Sequence, residues 1–178
     1  MRDLDLENVQ EAQDFEKPTP GGYICGITAV EDVADKEYLK IEYDFAEGPL
    51  KNYYRGLYEA KGFWGGTFVK SYKEKALPFF KGFITAVENS NKGYKFKNDE
   101  TTLKRRMVGL VLGEEEYVGK DGTVKTRLYV DQIHSVDVIK KGDFKIPELK
   151  KLPATAGSSS KPSDFVPTPL ADDDDLPF

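Results

Sequence analysis

The clearest periodicity lies at residues 39–45, where Leu39, Ile41, Tyr43 and Phe45 alternate with Lys40, Glu42 and Asp44. A period of two puts the apolar set on one face of a strand and the charged set on the other. Upstream, Tyr23–Val30 is rich in β-branched and aromatic residues and predicts a first strand, with Glu31–Lys36 as its turn. Downstream, Glu47-Gly48-Pro49 breaks the alternation, and Lys51–Tyr58 reads as a third strand or as a continuation bent at the break. In Phe63–Val69, adjacent Gly65 and Gly66 beside Trp64 predict a tight bend that leaves the indole against something flat. Residues 77–90 change period: Phe80, Phe83, Ile84 and Val87 fall at i, i+3, i+4 and i+7, one stripe of a helix, and Pro78 suits its first turn. A polar loop at 94–103 leads to an apolar strand, Met107–Leu112, that continues to about Tyr117. Asp121-Gly122 within 119–122 marks a hairpin turn, Thr123–Val130 returns, and Ile133–Ile139 extends the return.

Strand, strand, strand, helix, strand, strand is the order of a five-stranded Greek-key barrel of the OB type, with its helix between strands three and four. The expected class is therefore all-β or β-rich α+β. The barrel domain is expected over 21–146, opened by Gly21-Gly22. Before it, residues 1–20 form an acidic arm in which Asp5 caps a short helix carrying Leu6 and Val9, ended by Pro18 and Pro20. After it, 147–170 is a flexible linker, dominated from 153 by Ala, Gly, Ser, Thr and Pro, and 171–178 is a disordered acidic tip.

Charge changes the picture once it is divided. The chain carries −5 overall, yet residues 1–20 hold two basic against six acidic side chains and 152–178 hold one against five, so residues 21–151 carry +3. A mildly basic body with acidic ends fits a polyanion binder that regulates itself. Cys25 is the only cysteine, which excludes an intrachain disulfide and a thiolate metal cluster. No stretch has the length of a membrane span and the start, Met1-Arg2-Asp3-Leu4-Asp5, has no apolar signal region, so a cytoplasmic location is expected.

Single-stranded DNA offers phosphates to cations and flat base faces to aromatic rings. Tyr53-Tyr54-Arg55 is the first place where the two interleave: on a strand Tyr53 and Arg55 share a face, with Tyr53 outward and Tyr54 inward. Trp64, near Lys61, Lys70 and Tyr72, is the second, as a stacking platform or as a core residue. Lys104-Arg105-Arg106 is the densest basic run, lining a groove or simply solvated. On the hairpin, Lys125, Arg127 and Tyr129 share a face opposite Leu128 and Val130, with Tyr117 and Lys120 near the tip. Glu114-Glu115-Glu116 opposes phosphate there unless the acids point away or pair with Lys125 and Arg127. Catalysis is not expected: His134 is the only histidine and has no nucleophile or motif beside it, and Gly119–Thr123 lacks the spacing and the following helix of a phosphate loop. Neither a cofactor nor a metal is expected.

The chain closes on Asp172, Asp173, Asp174, Asp175, Leu176, Pro177 and Phe178. Four aspartates hold a segment extended and solvated, whereas Leu-Pro-Phe wants an apolar pocket with a basic rim. This tip resembles the C-terminal peptide of bacterial and bacteriophage single-stranded DNA-binding proteins. The resemblance implies that residues 172–178 recruit replication and recombination proteins and compete with DNA for the basic surface. From Gly21-Gly22 through Tyr53-Tyr54-Arg55 the body is also similar to small phage proteins of low-GC Gram-positive hosts that travel with recombination genes. The expected function is sequence-independent, non-catalytic coating of single-stranded DNA in a bacterial host cell, with homo-oligomers left open. Its rivals are a protein–protein adaptor of the same machinery without DNA contact, and a structural phage protein.

Overall fold

A computed structural model describes residues 6–7 and 17–153. The predicted helix near Asp5, most of the linker and the whole acidic tip lie outside those residues. Eight main elements follow in order: β1 (Gly21–Val33), β2 (Tyr38–Phe45), α1 (Tyr53–Lys61), β3 (Thr67–Ser71), α2 (Leu77–Ser90), β4 (Met107–Val118), β5 (Val124–His134) and α3 (Val136–Lys141). The strands form one five-stranded sheet in the order β3-β2-β1-β4-β5, antiparallel at every pairing. α2 sits in the chain between β3 and β4, as the helical period predicts. Its Phe83, Ile84, Ala86 and Val87 are buried against Cys25, Ile27, Ile41, Val108 and Leu110 from the sheet. Asn91 ties the end of α2 to the start of β4, donating to the carbonyls of Val87 (2.7 Å) and Met107 (2.9 Å) and accepting from the Met107 N–H (2.9 Å).

Residues 51–58, expected as the third strand, are instead the approach to α1 and most of that helix. Leu50, Tyr54 and Leu57 recur at helical spacing and pack on the core, and Gly62 closes the helix at φ +78°, its N–H donating to the Tyr58 carbonyl at 2.7 Å. The third strand is Thr67–Ser71, which begins within the Phe63–Val69 stretch expected to bend and runs past its end. Gly66 makes that entry possible: a Cβ there would lie 2.5 Å from both the Tyr43 carbonyl oxygen and the Tyr54 ring. The return strand stops at His134, and residues 136–141 form α3 rather than more strand; the Val136 N–H there is held by the Ser90 hydroxyl at 3.0 Å.

The alternation along β2 is observed, with Leu39, Ile41, Tyr43 and Phe45 in the core. Asp44 departs from it, because the face expected to meet solvent is covered at that point by α1. Its carboxylate accepts the N–H groups of Phe45 (2.9 Å), Tyr54 (2.9 Å) and Arg55 (3.0 Å), taking two of the unpaired donors in the first turn of α1.

Candidate functional site

β1 pairs with β4 only as far as Gly21 opposite Leu112, whereas β4 and β5 stay paired out to Val118 and Val124. The excess is a two-stranded arm projecting past the sheet. Directly opposed residues share a face, so Tyr117 with Lys125, Glu115 with Arg127 and Gly113 with Tyr129 make one surface. Arg127 Nε donates to Glu115 Oε1 at 2.8 Å, and the guanidinium lies 5.0 Å from the centre of the Tyr117 ring. Lys125 meets Asp121 at 3.6 Å, and Lys120 is exposed in the turn. Of the three consecutive acids, Glu115 alone shares the cationic face; Glu114 and Glu116 lie on the other.

Residues 147–152, placed by their composition at the start of the linker, run along this arm. Lys150 bridges Glu115 in parallel, with its N–H donating to the Glu114 carbonyl (3.0 Å) and its carbonyl accepting from Glu116 (2.9 Å). The Leu152 N–H then donates to the Glu116 carboxylate at 2.9 Å. The Lys150 ammonium lies 4.2 Å from the centre of the Tyr129 ring. That ring rests over Gly113, where a Cβ would meet its hydroxyl end at 2.6 Å.

The other nominated residues are dispersed. Tyr53 and Arg55 sit two apart on a helix and so do not share a face. Tyr53 is half-buried and packs edge-on to Phe45 and Tyr54, against the expectation that it points outward, while Arg55 is exposed and pairs with Glu59 at 3.6 Å. Trp64 is half-buried against Tyr54 and Tyr58, and its indole N–H is shared between the carbonyls of Gly66 (3.0 Å) and Tyr43 (3.2 Å). Tyr72 donates its phenol to Asp32 at 2.8 Å and stacks edge-on to Phe80. Arg106 covers the Tyr94 ring at 4.3 Å, and Lys104 and Arg105 are exposed. That basic run precedes the first residue of β4, whereas Tyr117 lies near its end; at the strand rise the two are about 30 Å apart.

Past the arm, the opposite face of β5, with Leu128 and Val130, borders a cleft. β3 and β5, the two ends of the sheet, face each other across about 240 Å³, with Phe68, Lys70, Leu128, Tyr129, Val130 and Ile133 in the lining. Lys70 stands opposite Leu39 and shares a face with Phe68 and Ile41, which makes it a lysine on the core side of an edge strand. Burial pulls its pKa down.

Sequence reasoning did not nominate Tyr58 and Phe63, both 53% exposed beside Trp64, nor Lys150. Reading 53–61 at helical period sets Tyr58 apart from Tyr54 and Leu57; nothing in the local pattern points to Lys150. His134 Nε2 lies 2.8 Å from the Gln132 amide oxygen. The Cys25 thiol is fully buried, which pushes its pKa far up, with nearby Asp44 adding to the shift. Among the described residues no three His, Cys, Asp or Glu side chains gather as a metal site, and no helix is long and apolar enough to cross a membrane. No family model matches the chain, and no curated protein is significantly similar to it.

Proposed function

We propose that the chain is a non-catalytic single-stranded DNA-binding protein of phage replication or recombination, built on an OB-type barrel. The observation that carries this reading is the arm, which presents Tyr117, Lys125, Arg127 and Tyr129 on one face. The strand order supports the fold half of the proposal. β3-β2-β1-β4 is three successive antiparallel strands with a fourth returning beside the first, the Greek-key order. β5 and β3, facing over one cleft, are the pair across which such a barrel closes. The β4–β5 connection then corresponds to a loop that OB folds use to hold oligonucleotides.

Cations on the arm track the backbone and rings take bases, at roughly 1–3 kcal/mol per stacked base. Arg127 and the rings of Tyr117 and Tyr129 are already engaged with Glu115 and Lys150, so DNA exchanges partners with groups held in place. The acidic tip, by its resemblance to those of known single-stranded DNA-binding proteins, competes for this surface and recruits partners once displaced. A gel shift with poly-dT tests the reading, in the full chain and in one lacking residues 171–178. The expected result is a shift that tightens at low salt when the tip is removed, with loss of partner pull-down. No shift in either form, with pull-down intact in the full chain, leaves the adaptor reading instead. That alternative has one observation in its favour, the exposed apolar surface at Leu77 and Phe79 on α2.

A further inference from the structure

α1 carries its apolar stripe past the core. Leu50 and Tyr54 are buried and Leu57 packs beside them, but Tyr58, one turn beyond Tyr54 on the same side of the helix, is 53% exposed. Gly62 then turns the chain at φ +78°, and Phe63 follows it, also 53% exposed. Trp64 is held in place beside Tyr58: its indole N–H is shared by two internal carbonyls, and the two rings lie 6.2 Å apart. An apolar contact across a helix C-terminus is common and accounts for one partly covered side chain. It does not account for two large rings, each more than half open to water, next to a third whose orientation is fixed.

The charges around these rings are mostly of one sign. Arg55 and Lys61 stand at i−3 and i+3 from Tyr58, a turn away on either side, and both are exposed, as is Lys51 at the approach to the helix. Glu59 is the one acid between residues 51 and 65, and its 3.6 Å pairing with Arg55 joins two largely exposed side chains, which holds neither of them strongly. Register puts the cluster at the arm's end of the sheet. β1 starts opposite Leu112, where the arm departs, and its Cys25 pairs with Phe45, the last residue of β2. The Asn52 N–H donates to the Phe45 carbonyl at 3.0 Å, so α1 begins at that same end. Phe68, four residues after Trp64, and Leu128, at the root of the arm, border one cleft.

We propose that Tyr58 and Phe63, backed by Trp64, form a base-stacking platform for single-stranded DNA, a second contact separate from the arm. It rests on the DNA-binding reading and extends it to the helix between β2 and β3. The two exposed rings take base faces, and Arg55, Lys61 and Lys51 take the flanking phosphates. The Trp64 N–H is already spent on internal carbonyls, and a stacked face carries no hydrogen-bond code, so the platform is indifferent to sequence, as coating requires. A protein partner could cover the same apolar area, but a cationic rim at the arm's end of the sheet fits a polyanion better.

Trp64 is the one tryptophan of the chain, so its emission reports on this cluster alone. The test is a titration of the full chain with oligo-dT, read by anisotropy and by Trp64 emission, and repeated on Tyr58→Leu, Phe63→Leu and Tyr58→Phe. A second series uses an abasic oligomer of the same length. Leucine keeps apolar bulk at an exposed position and removes the ring, whereas Tyr58→Phe keeps the ring and removes only the hydroxyl. Trp64 emission is expected to change as oligo-dT saturates the parent chain. Each leucine variant is expected to bind oligo-dT at least about fivefold more weakly, the lower end of one lost stack, while Tyr58→Phe binds like the parent and all forms bind the abasic oligomer alike. Unchanged oligo-dT affinity in both leucine variants overturns the platform, leaves the patch to a protein contact and keeps coating by the arm. An equal loss in Tyr58→Phe, or an equal loss toward the abasic oligomer, also overturns it, because the lost contact is then not a ring on a base. No anisotropy change with the parent chain at any salt overturns the coating function itself and the platform with it.

Discussion

Asp44 is the residue on which the placement of α1 depends, and Asp44→Ala tests that directly. Its side chain is 6% exposed and its carboxylate accepts three backbone N–H groups. Asn52, at the N-cap position of α1, makes no side-chain cap bond, so Asp44 supplies the cap from a neighbouring strand. Removing it deletes a cap, about 1 kcal/mol, and charge-assisted bonds of about 1.5–3 kcal/mol each. The terms are not additive, and water reaches the Arg55 N–H more easily than the Tyr54 N–H. A total near 3–4 kcal/mol follows, a large part of a typical domain's 5–15 kcal/mol, or roughly 10 °C in Tm. Asp44→Asn keeps the doubly used oxygen but turns an amide N–H toward a donor, and loses about half as much. Urea denaturation followed by far-UV circular dichroism measures both, with the m-value expected to be unchanged. Tyr54 and Tyr58 lean on Trp64, so Asp44→Ala also shifts tryptophan emission to the red under native conditions. A loss under about 0.5 kcal/mol, the range of an ordinary surface substitution, refutes the capping argument.

Gly66→Ala drives a methyl group into the Tyr43 carbonyl and the Tyr54 ring and is expected to cost about 1–3 kcal/mol in the same urea assay. Glu115→Gln releases Arg127 from its carboxylate and is expected to tighten oligo-dT binding severalfold at low salt while making it fall more steeply with salt, read by fluorescence anisotropy. Tyr72 has its pKa pushed up to about 12 by burial and by Asp32, above the usual tyrosine value near 10. The unfolded chain therefore ionises first: this contribution is whole below pH 10 and is lost as pH rises through 12. Tyr72→Phe is expected to lose less stability than the parent between those pH values.

The elements that could be read from residues alone are those in which one period dominates. β2 alternates in its apolar set, α2 carries a single stripe ended by Asn91, and the turn at 119–122, with Gly122 at φ +79°, closes the β4–β5 hairpin. The error at 51–58 has a physical origin. Tyr53, Tyr54 and Tyr58 are residues that strands favour, and their intrinsic preference was overridden by the helical spacing of Leu50, Tyr54 and Leu57, by Asp44 at the start and by Gly62 at the end. The Asp44 contact spans ten residues of chain and leaves no local trace. The arm's shared face was legible because alternation determines it; the pairing of Arg127 with Glu115 stood as one of two options until the register was known. Lys70 entered as one cation among several. Its inward position follows only from its pairing with Leu39, which depends on β3 being the third strand.

The measurement closest to the central claim is the anisotropy of a labelled oligo-dT titrated with the full chain across a salt series, with Lys125→Glu and Arg127→Glu beside it. Salt-sensitive binding is predicted, its log–log slope near −0.7 for each phosphate neutralised, shallower by about one contact for each charge reversed. Binding that ignores salt and both reversals, or no binding at any salt, contradicts the assignment of the arm as the surface that holds the strand.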